Sequence, residues 1–149
     1  MKIAIASDHG GYQLKQSLIQ FLKERKIEVE DLGVGGLDSV DYPDYAVRVA
    51  EKVSQGKVES GILACGTGIG MSIVANKFRN VRAAVVTDEY TAKMAKGHNN
   101  ANVLCLGGRI GNSEEAKRLV AVWLETEYAG GRHDRRLGKI REIEKKNLR

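Results

Sequence analysis

No apolar run in these 149 residues approaches the length of a membrane span. The opening Met1-Lys2-Ile3-Ala4-Ile5-Ala6-Ser7 is too short for a signal-peptide core. A soluble, cytoplasmic chain without membrane contact is expected. Only two cysteines occur, Cys65 and Cys105, far apart and without a Cys-x-x-Cys pair, which suggests neither a disulfide framework nor a zinc site. The three histidines, His9, His98 and His133, lack His-x-x-x-His or His-Glu-x-x-His spacing, so no bound metal is expected. Aromatic residues make up 5% of the chain, too few for a platform on which nucleic-acid bases stack. There is no internal repeat, low-complexity segment or linker, and residues 1–149 fit one domain with a proper core.

The net charge of +5 is confined to one place. Residues 132–149 hold eight Lys and Arg against three acids, whereas the rest of the chain balances sixteen against sixteen. Such a tail suits a nucleic acid, a phosphorylated small molecule or an acidic face of a partner subunit.

Short β-branched runs alternate with amphipathic stretches. The pattern predicts strands over Lys2–Ser7, Ile27–Leu32, Gly61–Ala64, Ala83–Thr87 and Val103–Gly107. Helices are predicted over Tyr12–Lys26, Pro43–Ser54, Met71–Phe78, Glu89–His98, Ser113–Tyr128 and Asp134–Lys146. This reads as an α/β chain of Rossmann-like, three-layer αβα form, with a five-stranded parallel sheet covered on both faces. The single proline, Pro43, suits a first helical turn with Asp41 as its cap, and Asp38, Asp41 and Asp44 read as capping and turn residues. The final helix is surplus to covering such a sheet. Its narrow stripe of Leu137, Ile140 and Ile143, with Arg132 and Arg136 four apart, suggests packing on a partner subunit.

The most informative segment runs from the apolar Ser60-Gly61-Ile62-Leu63-Ala64 into Cys65-Gly66-Thr67-Gly68-Ile69-Gly70 and then a helix-like stretch. Alternate glycines let several amides face one point, where an oxyanion would be held. The adjoining helix terminus favours thiolate over thiol at Cys65, a base or nucleophile in waiting; the other reading is a small core residue ending a strand. In an open parallel sheet ligands bind beyond the carboxyl ends of strands, at the switch point. For a strand order 2-1-3-4-5 that point lies between the first and third strands, where Asp8 and His9 would face Cys65 and Thr67. Asp8 also fits a helix cap, His9 a loop histidine, and His98 a helix C-terminus. Arg109, in the turn after the fifth strand, favours a ligand role. Thr67 fits a polar role beside the thiol or a plain turn residue. Cys105 reads as strand core and His133 as exposed tail.

Other familiar chemistries do not fit. Gly66-Thr67-Gly68-Ile69-Gly70 is not Gly-x-Gly-x-x-Gly, and no Walker loop occurs. A cysteine phosphatase loop would need arginine six residues after its nucleophile; that position is Met71.

The ordered set Asp8-His9-Gly10-Gly11, Asp41-Tyr42-Pro43-Asp44-Tyr45-Ala46, Cys65 to Gly70, Ala75-Asn76-Lys77, Gly97-His98-Asn99, Gly107-Gly108-Arg109 and Gly130-Gly131-Arg132-His133 resembles ribose-5-phosphate isomerase B. The likeness covers essentially the whole chain. It implies interconversion of ribose 5-phosphate and ribulose 5-phosphate in the pentose phosphate pathway, with neither metal nor organic cofactor. It also implies homodimers or homotetramers with active sites between subunits. By the same resemblance Cys65 moves a proton between C1 and C2, and the amides of Gly66, Thr67, Gly68, Ile69 and Gly70 cradle the enediolate. Thr67 and His98 open the furanose ring. Asp8 and Asn99 hold sugar oxygens, with Tyr42 nearby. His9, Arg109, Arg132 and Arg136 clamp the phosphate, with Arg109, His98 and Asn99 coming from the other subunit. One branch of the family lacks this cysteine and has glutamate where Met71 stands here; Met71 cannot ionise, so the chain follows the cysteine version.

The elementary needs of aldose–ketose isomerisation agree: one base, fixed donors for the enediolate, and positive charge remote from the reacting carbons. Two alternatives stand beside it. One is an isomerase of a six-carbon phosphate such as allose 6-phosphate or galactose 6-phosphate. The other is a non-catalytic nucleotide or RNA binder using the basic tail, disfavoured because a sugar phosphate already accounts for that charge.

Overall fold

Side-chain alternation sorts the central strands between two cores. In the computed structural model, which describes residues 1–148, Ile3 and Ile5 of β1 (Lys2–Ser7) join Ile62, Ala64, Leu104 and Leu106 in one cluster. Ala4, Ala6, Leu63, Cys65, Val103 and Cys105 point the other way into a second. Period-two alternation with both sets buried is what a sheet covered on both faces requires.

After β1 a 3₁₀ turn (His9–Gly11) leads into α1 (Tyr12–Glu24), β2 (Glu28–Asp31) and α2 (Tyr42–Ser54). Then follow β3 (Ser60–Cys65), α3 (Ile69–Ala75), β4 (Ala83–Val85), α4 (Glu89–Gly97), β5 (Val103–Gly107), α5 (Ser113–Glu125) and α6 (Arg132–Asn147). All strand pairs are parallel. Leu14, Leu18 and Leu22 of α1, Ala92 and Ala95 of α4, and Leu119, Val120 and Trp123 of α5 fill the first core. Ala46, Val49, Ala50 and Val53 of α2, with Met71 and Ala75 of α3, fill the second. The three-layer αβα expectation holds.

Several boundaries shift by a few residues. The first helix stops at Glu24 because Lys26 adopts a left-handed φ of 61°. The third begins at Ile69 instead of Met71, directly after left-handed Gly68. Asp41 does occupy the N-cap of α2, with Pro43 in the first turn, although its side chain makes no capping hydrogen bond.

The strand order is β2-β1-β3-β5-β4, not the 2-1-3-4-5 order used to place the site. Burial explains the exchange. Val103, Leu104, Cys105 and Leu106 are fully enclosed, as suits an inner strand, whereas all three residues of β4 are half-buried, as suits an edge. The switch between β1 and β3 survives, and β5 joins it as the third strand at the same crevice.

Cys105 is wholly buried opposite Leu63, and burial, reinforced by the Cys65 charge, pushes its thiol upward. It is strand core, as read from the sequence. Cys105→Ala is expected to cost about 1 kcal/mol in a denaturant melt, the scale of a small core deletion, with kcat and KM within about two-fold of the parent.

The last helix is anchored on its own chain. Leu137 is buried, the Glu144 carboxylate accepts from the Asn80 N–H at 3.1 Å, and Arg79 Nε donates to the Leu148 carbonyl at 2.8 Å. Ile140 and Ile143 remain 45% and 61% exposed. No helix among the described residues is long and apolar enough to cross a membrane.

Candidate active site

At the carboxyl ends of β1, β3 and β5 three turns interlock. The Asp8 N–H donates to the Ala64 carbonyl at 3.2 Å, the Gly108 N–H to the Cys65 carbonyl at 2.7 Å, and the Arg109 N–H to the Gly66 carbonyl at 3.1 Å. The crevice floor is therefore main chain held by main chain, a rigid base for side chains that must act together.

Cys65 ends β3 with 6% of its surface exposed. The chain then reverses through Gly68, whose φ of +84° and whose closeness to the Leu106 backbone, 3.0 Å from where a Cβ would stand, require glycine. That reversal aims the Gly68 N–H at Cys65 Sγ, 3.1 Å away. That contact fixes the sulfur at the start of the amide loop. The Thr67 hydroxyl accepts from the Ile69 N–H at 3.2 Å, which fixes it at the mouth of the same loop. Two of the cradle's amides thus orient its own side chains.

Asp8 is 8% exposed and its Oδ1 accepts from the Gly11 N–H at 3.1 Å, so the capping reading of this residue describes its geometry. Its position at the end of β1 also leaves it in the crevice. His9 Nδ1 accepts from the Val40 N–H at 3.1 Å. With Nδ1 occupied as an acceptor, Nε2 is the ring nitrogen left to donate to an anion. Tyr42, in the first turn of α2, lays its ring over Gly70: a Cβ there would stand 2.5 Å from Tyr42 Cε1. The Arg109 guanidinium lies against the two glycine turns, since Cβ atoms built on Gly66 and Gly10 would meet its Nη1 at 3.3 Å and its Cζ at 3.4 Å.

The arginine corrects one expectation. Arg109 was to arrive from another subunit; with β5 beside β3, it reaches the crevice of its own chain.

His98, Asn99, Arg132 and Arg136 do not join this group. A helix that links parallel strands runs back to their amino ends, so the end of α4, where His98 is the C-cap, lies across the sheet from Cys65. Arg132 and Arg136 open α6 beside it, because α5 makes the same return and the Ala129 N–H bonds the Gly97 carbonyl at 2.9 Å. His133, expected as exposed tail, is buried there against His98. One chain therefore carries two half-sets of polar residues at opposite edges of one sheet. No motif marks Val40 as the partner that orients His9.

Among the described residues no group of three His, Cys, Asp or Glu side chains stands as metal ligands would. The first half-set offers a cysteine sulfur beside an amide loop, with His9 and Arg109 as donors for an anion.

The sequence model described as Ribose/Galactose Isomerase matches residues 3–140. Ribose-5-phosphate isomerase B of Escherichia coli is 46% identical over 97% of this chain and 97% of its own length. Ribose-5-phosphate isomerase B of Clostridium thermocellum superposes with a TM-score of 0.96 at 53% identity, covering 98% of this chain and 99% of that one. The enzyme of that name from Mycoplasma genitalium, solved with bound ribulose-5-phosphate, superposes with a TM-score of 0.95 at 44% identity, covering 98% and 97%.

Proposed function

The chain belongs to the Ribose/Galactose Isomerase family, and we propose that it interconverts ribose 5-phosphate and ribulose 5-phosphate through an enediolate, with Cys65 as the base. The observation that carries this is the Cys65 sulfur under the Gly68 amide, at a crevice closed by His9 and Arg109. In the aldose-to-ketose direction the thiolate takes the proton from C2 and the C1 carbonyl oxygen gains negative charge; the O2 hydroxyl then gives up its proton and O1 takes one, while the same sulfur returns its proton to C1 and O2 becomes the ketone. Donors of the Gly66 to Gly70 loop stabilise the charge on oxygen as it develops, where electrostatic stabilisation accelerates most. Asp8 holds sugar hydroxyls and Tyr42 walls the loop.

Phosphate binding sets the reacting carbons against Cys65. His9 and Arg109 grip it from the chain that supplies the base, and Arg132 and Arg136 from the second chain, which also brings Asn99 and, with Thr67 of the first, the ring-opening His98. A homodimer is the smallest assembly that joins the two half-sets. The exposed apolar Ile140 and Ile143 of α6 and Ile69 and Ile73 of α3 suit such a contact.

The activity is tested by incubating the chain with ribose 5-phosphate in the presence of a chelator and following ribulose 5-phosphate. Turnover is expected to persist with chelator and to exceed that on allose 6-phosphate and galactose 6-phosphate. Faster turnover of a six-carbon phosphate would transfer the assignment to that substrate, because the clamp would then fit a chain one carbon longer. Arg132→Ala or Arg136→Ala is expected to raise KM about ten- to a hundred-fold, the scale of one lost charged hydrogen bond, and to lower kcat as well. Unchanged kinetics in both variants would remove the tail from the clamp.

A further inference from the structure

His133 has no role in the chemistry above, yet it is 7% exposed on a helix whose other charged residues mostly face water. Its ring stacks on that of His98, with centroids 4.2 Å apart and planes 20° apart. Main-chain bonds hold both ends of the stack. The His98 N–H donates to the Met94 carbonyl at 2.9 Å, and the His133 N–H to the Gly130 carbonyl at 3.1 Å. One face of His98 is thereby covered, and its ring edge is left for a substrate.

The groups facing His133 are His98 from α4 and Arg132, Asp134 and Arg136 from α6. Burial first, then the positive charges of His98, Arg132 and Arg136, hold His133 below the ordinary histidine range; Asp134 alone opposes them. Asp134 is itself engaged by the Tyr128 hydroxyl at 2.7 Å, and the N-terminus of α6 adds further positive potential. These groups favour the neutral form of His133.

Resting on the proposed isomerisation, we infer that His133 is a positioning residue for ring opening: stacked flat on His98, it fixes the plane in which His98 delivers a proton to the furanose oxygen. In that step the bond from C1 to the ring oxygen breaks. The C1 hydroxyl releases its proton to water as it becomes the aldehyde, and the ring oxygen gains one from His98 to become the C4 hydroxyl. A neutral π face also tolerates positive charge on His98, whereas a second imidazolium would oppose it.

Ribulose 5-phosphate separates ring opening from proton transfer at carbon, because with its C5 oxygen esterified it has no furanose ring to open. Solvent deuterium exchange at C1 of ribulose 5-phosphate therefore reads Cys65 alone, and turnover of ribose 5-phosphate reads both steps. His133→Ala is expected to lower kcat on ribose 5-phosphate about ten-fold more than it lowers the exchange rate, the scale of a misplaced proton donor. His133→Phe keeps the flat face without charge and is expected to recover most of that loss. If His133→Ala does not fold, His133→Gln takes its place, with the same split expected. Parallel losses in both assays, no loss in either, or a Phe variant no better than its non-aromatic counterpart would overturn the inference. A wild-type chain that neither isomerises ribose 5-phosphate nor exchanges C1 protons would instead overturn the isomerase reading on which it rests.

Discussion

Cys65→Ala is expected to lower kcat on ribose 5-phosphate by about a hundred- to ten-thousand-fold, the range contributed by a single positioned acid or base. KM is expected to stay within about two-fold, because a base acts on the transition state more than on bound substrate. The variant should fold, since alanine keeps the Cβ and loses only the sulfur from a position that borders the crevice. No neighbour can substitute. Met71 has nothing to ionise, and Cys105, two residues back from the facing Gly107 on β5, is wholly buried with its thiol pushed upward. Steady-state kinetics on the purified variant check this, and near-normal turnover would exclude Cys65 as the base.

What the sequence made legible was whatever follows from chain direction over a few residues. The Cys65 loop, the Asp8-His9 turn and the alternation of strands and helices are local patterns, and all of them fold as read. Strand order is not local. The turn after the fifth strand could be assigned to the right end of the sheet, but its neighbours depend on whether β4 or β5 sits beside β3. The clue was present in composition, because Val103-Leu104-Cys105-Leu106 is a run for an inner strand, whereas Ala83-Ala84-Val85 is short enough for an edge. The placement of Arg109 on the other subunit follows from the family resemblance alone, and the β3–β5 pairing sets it against Gly10 and Gly66 of its own chain instead. His133 lay beyond any such clue. Nothing in Gly130-Gly131-Arg132-His133-Asp134 shows that the return of α5 brings this residue under His98, since that contact spans 35 positions of sequence.

The separation of the two half-sets gives the account its sharpest consequence. Cys65 stands at the carboxyl edge of the sheet and His98 at the amino edge, and no rotation of side chains carries one to the other. If each active site takes Cys65 from one chain and His98 from another, chains carrying Cys65→Ala and chains carrying His98→Ala are both inactive alone but complementary together. A mixed dimer then has one site with both defects and one with neither. Random reassembly places about half of the dimers in the mixed form, so about a quarter of wild-type activity should return when the sites are independent. The measurement is ribose 5-phosphate turnover after the two variants are mixed, dissociated and reassembled, with subunit exchange verified by differently tagged chains. Recovery to about a quarter of wild type is the predicted result. No recovery despite verified exchange would contradict the shared site.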